Sequence, residues 1–185
     1  MNYHLNQIPD RTAKPRQKGL TMVMDKGLSL RQVEDFLETG ADYTDIVKLG
    51  WATSYVTPNL KEKLALYKSA GIPVYFGGTL FEAYVIRNQF DDYRRVLEDF
   101  GMEYAEISDG SMDIVHEEKC EYIAKLAKQV TVISEVGSKD ATDDSVGIRI
   151  PYSINVGNYS FNQDTVNFGG SSVINDLLYI AQSGT

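Results

Sequence analysis

Five short apolar runs, each but the last followed by a longer amphipathic one, constrain this chain more than any other feature between residues 19 and 134. "LTMVM" (20–24) precedes "SLRQVEDFLETG", and "DIVKLG" (45–50) precedes "TPNLKEKLALYKSAG". "IPVYFGG" (72–78) precedes a helical stretch from Thr79 to Phe100, broken near Phe90. "EYAEISDG" (103–110) precedes a helix from about Asp113 to Gln129, and "VTVIS" (130–134) is the fifth strand. Short apolar runs bounded by turn residues read as buried strands, and Leu30, Val33 and Leu37 recur at helical spacing. Parallel neighbours need crossover connections of this length, so the order predicts a parallel sheet and the α/β class. Local signals mark the helix ends. Ser29 and Gln32 form a capping-box pattern, Thr57 suits a cap with Pro58 at the first helical position, and Gly71 suits a stop. Cys120, spaced with Val115, Ile123, Ala124 and Ala127, suggests the core face of the fourth helix.

Composition narrows the partners. A chain of 185 residues with 43% hydrophobic content can bury a core, most simply as one domain. A net charge of −8 argues against nucleic acid, which needs a clustered positive footprint. One cysteine excludes an internal disulfide framework. No apolar run approaches the roughly 20 residues of a membrane span, and the start, "MNYHLNQIPDRTAKPRQ", has no apolar signal-peptide centre. The expectation is a cytoplasmic protein without a membrane partner.

In parallel α/β architectures ligands collect at the carboxyl ends of the strands. The five strand tips carry Asp25 with Lys26, Lys48, Gly77 with Gly78, Glu106 with Ser108 and Asp109, and Glu135 with Lys139. Taken singly, each charge also fits a solvated turn residue. Lys48 and Glu106 differ, because they interrupt apolar strands and would cost several kcal/mol if buried without partners. In "FGGTLFE" (76–82), Gly77 and Gly78 permit close backbone approach. Thr79 with Glu82 forms a second capping-box pattern, so helix-start amides are expected to point toward an anion; the plainer alternative is a tight strand-to-helix turn. His4 reads as an N-terminal loop residue and His116 as an exposed first-turn helix residue.

Five segments together carry a resemblance: "KPRQKGLTMVMDKG" (14–27), "DIVKLGWATS" (45–54), "IPVYFGGTLFE" (72–82), "EYAEISDGS" (103–111) and "ISEVGSKD" (133–140). Over about Arg11 to Asp140, in order and spacing, they resemble the phosphosulfolactate synthase family, which also includes plant heat-stress-associated relatives. The resemblance implies a (β/α)₈ TIM barrel, a magnesium requirement, and addition of sulfite to phosphoenolpyruvate giving (2R)-phospho-3-sulfolactate. Under that chemistry Glu106 and Glu135 are the preferred magnesium ligands, with Asp25 or Asp109 acting through water. Lys139 or Lys48 would be the general acid, the other lysine and Arg16 holding phosphate or sulfite. Gly77, Gly78, Thr79 and Ser108 would line the site of an anionic group.

A complete barrel of this type takes about 250 residues, whereas only 45 follow Asp140, with no lysine, no glutamate and only Arg149 as a cation. The expected architecture is therefore a barrel portion of about five βα units (1–140) plus a divergent segment (141–185) on the same domain. Strands are expected near 146–151 and 153–161, and a short helix from about Ser172 to Gln182. An open parallel edge is an association liability, so a homo-oligomer is expected. The alternative to the synthase is a non-catalytic relative binding an anion or a protein partner.

Overall fold

The computed structural model describes residues 4–8, 10–135, 155–156, 159–160 and 179–181. Strands β1 (Met22–Asp25), β2 (Ile46–Leu49), β3 (Val74–Phe76), β4 (Tyr104–Ile107) and β5 (Thr131–Ser134) lie side by side in chain order, all parallel. Between them run α1 (Leu30–Gly40), α2 (Thr53–Val56) with α3 (Leu60–Ser69), α4 (Gly78–Val85) with α5 (Phe90–Asp99), and α6 (His116–Leu126). Right-handed crossovers between sequential neighbours send every helix to one face, which is the winding of a barrel and not of a doubly wound sheet. The packing agrees. Val47, Leu49, Phe76, Ala105, Ile107 and Val132 meet Val33, Tyr67, Phe81, Leu97 and Leu126 from the helices. The alternate residues Ile46, Tyr75 and Ile133 form a separate cluster with Met22 and Tyr104 on the opposite face. The chain thus folds as the parallel α/β sheet that the alternation predicted, in the partial TIM-barrel-like form that the family resemblance implied.

Most helix boundaries follow the local chemistry. Ser29 and Gln32 cap α1 reciprocally. The break before Phe90 is present, with Asn88 in the left-handed region at φ 55°. Gly71 leaves α3 at φ 66°, a conformation that glycine adopts without strain. Thr57 is a correction. Its hydroxyl donates to the Thr53 carbonyl and closes α2, while α3 starts one residue after a left-handed Asn59. Helix α6 begins at His116 and turns Lys119, Tyr122, Ile123 and Leu126 inward, leaving Cys120 exposed with its Sγ 3.6 Å from His116 Nε2. Of the expected face, Ile123 and Ala127 pack on the core while Val115, Cys120 and Ala124 are exposed, because the buried Lys119 takes a place that a lysine does not advertise in sequence.

Beyond β5, β8 (Tyr179–Ala181) pairs antiparallel with that strand, and β6 (Asn155–Val156) pairs with β7 (Tyr159–Ser160). Both short strands fall within the single strand expected at 153–161. The helix expected from Ser172 to Gln182 gives way at 179–181 to a strand whose backbone groups satisfy the β5 edge. The rest of that segment and the strand expected at 146–151 lie outside the described residues.

Arg16 also departs from expectation, because it lies at the amino end of the sheet. Lys14, Arg16 and Arg11 donate in turn to the carbonyls of Ala41, Asp42 and Tyr43, each at 3.0 Å, on the turn that follows α1. Arg16 Nη1 also sits 2.7 Å from Asp45 Oδ1, just before β2, with both side chains only 6% exposed. Burial pushes the Asp45 carboxyl up, but the Thr21 amide, Arg16 and Arg11 outweigh it and hold the group below the usual aspartate range. Arg16 is therefore a strap for the β2 entrance. Replacing it with alanine should lower the melting temperature; an unchanged melting temperature would contradict the strap.

Candidate active site

Side-chain alternation along the strands builds the site. On β2, Val47 and Leu49 face the helices, so Ile46 and Lys48 face the other way; on β4 the same parity sends Tyr104 and Glu106 inward. On β5, Ile133 belongs to the inner cluster and Glu135 is two residues further along. Each of these three strands thus places a residue of the inner cluster at mid-depth and a charged one at its carboxyl end. Lys48 Nζ lies 2.8 Å from Glu106 Oε1 and 3.5 Å from Glu135 Oε2, with the three side chains 7%, 2% and 15% exposed. The expectation that Lys48 and Glu106 must be partnered is met by their pairing with each other.

Gly77 makes this pairing geometrically accessible. β3 lies between β2 and β4, so Lys48 must cross it, and neighbouring strands are about 4.8 Å apart. A Cβ on Gly77 would stand 3.1 Å from Lys48 Cε and 3.0 Å from the Leu49 carbonyl. The missing side chain is the channel through which the lysine reaches. Gly78 serves a different purpose. Its N–H, at the first residue of α4, donates to Glu106 Oε1 at 2.8 Å. A Cβ there would collide with the Ser108 side chain. The expected helix-start amide exists, but a protein carboxylate takes it. No Thr79–Glu82 box forms either: Gly77 is the N-cap, Thr79 is half-buried, and Glu82 accepts from Ser108 Oγ and from the Gly110 amide at 3.1 Å.

Glu106 titrates unusually in this setting. Burial raises its pKa most strongly; the Lys48 charge, its hydrogen bond and the Gly78 amide pull it back, and the neighbouring Glu135 carboxyl adds to the rise, leaving it at about 7 against an ordinary 4.5. A group that binds its proton more tightly when folded contributes stability that is full below about 4.5 and lost as pH rises through about 7. In chelator, unfolding free energy should therefore fall between pH 5 and 7.5, and Glu106→Gln should flatten that slope; equal slopes in the two proteins would contradict the assignment.

The remaining predicted residues do not join this cluster. Asp25 has the helix-side parity of Val23 and is fully buried. Its Oδ1 accepts the Gly27 and Leu28 amides at 2.7 Å, and its Oδ2 accepts Lys63 Nζ at 2.9 Å and Tyr67 OH at 3.0 Å. Those four donors occupy the lone pairs a metal or its water would need. Asp109 binds Lys119 Nζ at 2.6 Å, and the same ammonium donates to the Glu135 carbonyl at 2.8 Å. Lys119 was not anticipated from the sequence, yet it ties the loop after β4 to the end of β5. Lys139 lies outside the described residues.

Two adjacent carboxylates beside one ammonium form a hard-oxygen set suited to a divalent cation. Among the described residues no group of three His, Cys, Asp or Glu side chains converges as a metal cage. Magnesium does not require one, since it is commonly held by one or two carboxylates with water and substrate oxygens completing the shell. Glu106 and Glu135 fit that pattern. Among the described residues no helix is long and apolar enough to cross a membrane.

Comparison with known proteins gives one consistent result. Residues 9–163 match the family model described as (2R)-phospho-3-sulfolactate synthase (ComA). The chain is 43% identical over 141 residues to the phosphosulfolactate synthase of Bacillus subtilis, covering 76% of this chain and 56% of that one. Identity is 39% over 139 residues to the Methanothermobacter thermautotrophicus protein of the same name, covering 74% and 54%. It is 49% over 127 residues to that of Methanocaldococcus jannaschii, covering 66% and 50%. The chain spans about half the length of these curated relatives.

Proposed function

Because this chain belongs to the (2R)-phospho-3-sulfolactate synthase family, we propose that it catalyses the magnesium-dependent addition of sulfite to phosphoenolpyruvate. The observation that carries this reading is Lys48 held between Glu106 and Glu135 at the carboxyl ends of parallel strands. The sulfur lone pair forms a bond to the methylene carbon, the double-bond electrons move toward the carboxylate, and a proton is delivered to the carbon bearing the phosphate ester. Charge therefore grows on the substrate carboxylate and must be met by fixed positive charge. Magnesium would be held by Glu106 and Glu135 and, when bound, would supply Lewis-acid stabilisation of that charge. Lys48 would orient the anionic substrate and act as proton donor, a role Lys139 would share or take. The inner cluster beneath, Ile46, Tyr75 and Ile133, excludes water from below.

The test is sulfite-dependent consumption of phosphoenolpyruvate by the purified chain, followed by phosphorus NMR with magnesium and with chelator. A phosphosulfolactate signal that requires magnesium and is lost in a folded Glu135→Gln variant is expected. A folded, magnesium-replete protein without product would overturn the reading and favour a relative that binds an anion or a protein partner without turnover.

A further inference from the structure

Glu82 is 4% exposed, and the chemistry above assigns it nothing. It stands one helical turn after Gly78 on α4, so the two residues share the face that meets β4. Their contacts are reciprocal. The Gly78 amide of α4 donates to the β4 carboxylate Glu106, and the α4 carboxylate of Glu82 accepts from Ser108 Oγ and the Gly110 amide just past β4. Ser108 is wholly buried and pressed against Gly78 so closely that no Cβ fits between them. Glu82 Oε2 is buried and has no hydrogen-bond partner among the described residues. A buried carboxylate with one oxygen unsatisfied is costly, so a purely structural role would be served better by an apolar side chain.

We propose that Glu82 is a positioning residue: by clamping Ser108 and Gly110 to α4, it sets the distance at which the Gly78 amide seats Glu106 toward Lys48 and Glu135. This rests on the proposed reaction for its kinetic consequence but not for its geometry. It also changes the role of Ser108, whose hydroxyl is spent on Glu82 and serves the clamp.

The experiment compares Glu82→Ala, Glu82→Gln and Ser108→Ala in metal-free protein by amide hydrogen exchange, then in turnover. With Glu82→Ala, the Gly78 amide should exchange at least tenfold faster, while Ala105 and Ile107 in β4 keep their protection. Glu82→Gln retains an oxygen acceptor for both donors and should restore Gly78 protection to within about threefold. In turnover, Glu82→Ala should lower kcat about 30-fold with KM for phosphoenolpyruvate within about threefold, and Gln should recover most of the loss. Unchanged Gly78 exchange in folded Glu82→Ala would overturn the clamp, as would equal kcat losses in the Ala and Gln variants. If Glu82→Ala does not fold, Ser108→Ala removes one of the two donors and decides the exchange question. Wild-type protein without turnover would sink the proposed reaction alone, leaving the exchange result to judge the clamp.

Discussion

Replacing Lys48 with methionine should lower kcat/KM about 10³-fold, the scale of losing a proton donor or a fixed charge at a developing anion. Magnesium binding should move the other way. The Lys48 ammonium stands 2.8 Å from Glu106 Oε1 and 3.5 Å from Glu135 Oε2, so it competes with a cation for the same two carboxylates. Removing it leaves them without their shared counter-charge, and titration calorimetry at a pH where both carboxyls are ionised should show tighter magnesium binding in a protein whose turnover is largely lost. The same removal takes away the largest influence holding the Glu106 pKa down, so Glu106 should retain its proton to a higher pH. The stability penalty of Lys48→Met in chelator should accordingly grow as pH rises past 7, and magnesium should relieve it. Methionine fills most of the same volume in the channel over Gly77, so folding at pH 6 should be retained. A variant with weaker magnesium binding and normal kcat would show instead that Lys48 only supports the fold.

How far the sequence foretold this arrangement depends on which property of each residue was visible. The order of strands and helices was legible because period 2 and period 3.6 patterns are local. Lys48 and Glu106 were legible because a charge inside an apolar run demands a partner, and they prove to be each other's. Asp25 misled for the opposite reason: it sits at a strand tip, where ligands are expected, but its parity with Val23 turns it toward α3. Strand parity, counted in alternate positions from Lys48 and Glu106, is the signal that distinguishes an inward carboxylate from an outward one. Lys119 and Lys63 could not be found that way. Each lies on a helix among other charges, and only the loop and strand that pack over it reveal that its ammonium is buried and paired. Glu82 was read as a capping residue from the Thr79 spacing, whereas long-range contacts with Ser108 and Gly110 take its carboxylate.

Lys63→Met should be the most destabilising of the single changes considered, because it strands the fully buried carboxylate of Asp25 without its counter-charge. Lys63 and Asp25 are 1% and 0% exposed, and their side chains meet at 2.9 Å. Removing one member of such a pair costs about 3–5 kcal/mol, which for a chain of this size corresponds to a fall in melting temperature on the order of 10 °C. Part of the loss should be recoverable by neutralising the survivor. Asp25→Asn in the Lys63→Met background keeps an oxygen to accept the Gly27 and Leu28 amides, which hold the loop after β1. Its amide group then faces Tyr67 OH, whose pKa burial and Asp25 together push well above the ordinary tyrosine value, so the phenol remains protonated and can rotate to accept. The double variant should therefore be more stable than Lys63→Met alone, a coupling of opposite sign to additive damage. Because Asp25 faces the helices and Lys48 faces the inner cluster, turnover per folded molecule should change little in either protein. If the double variant is no more stable than the single one, Asp25 is not left uncompensated by the loss of Lys63, and the cost lies in packing.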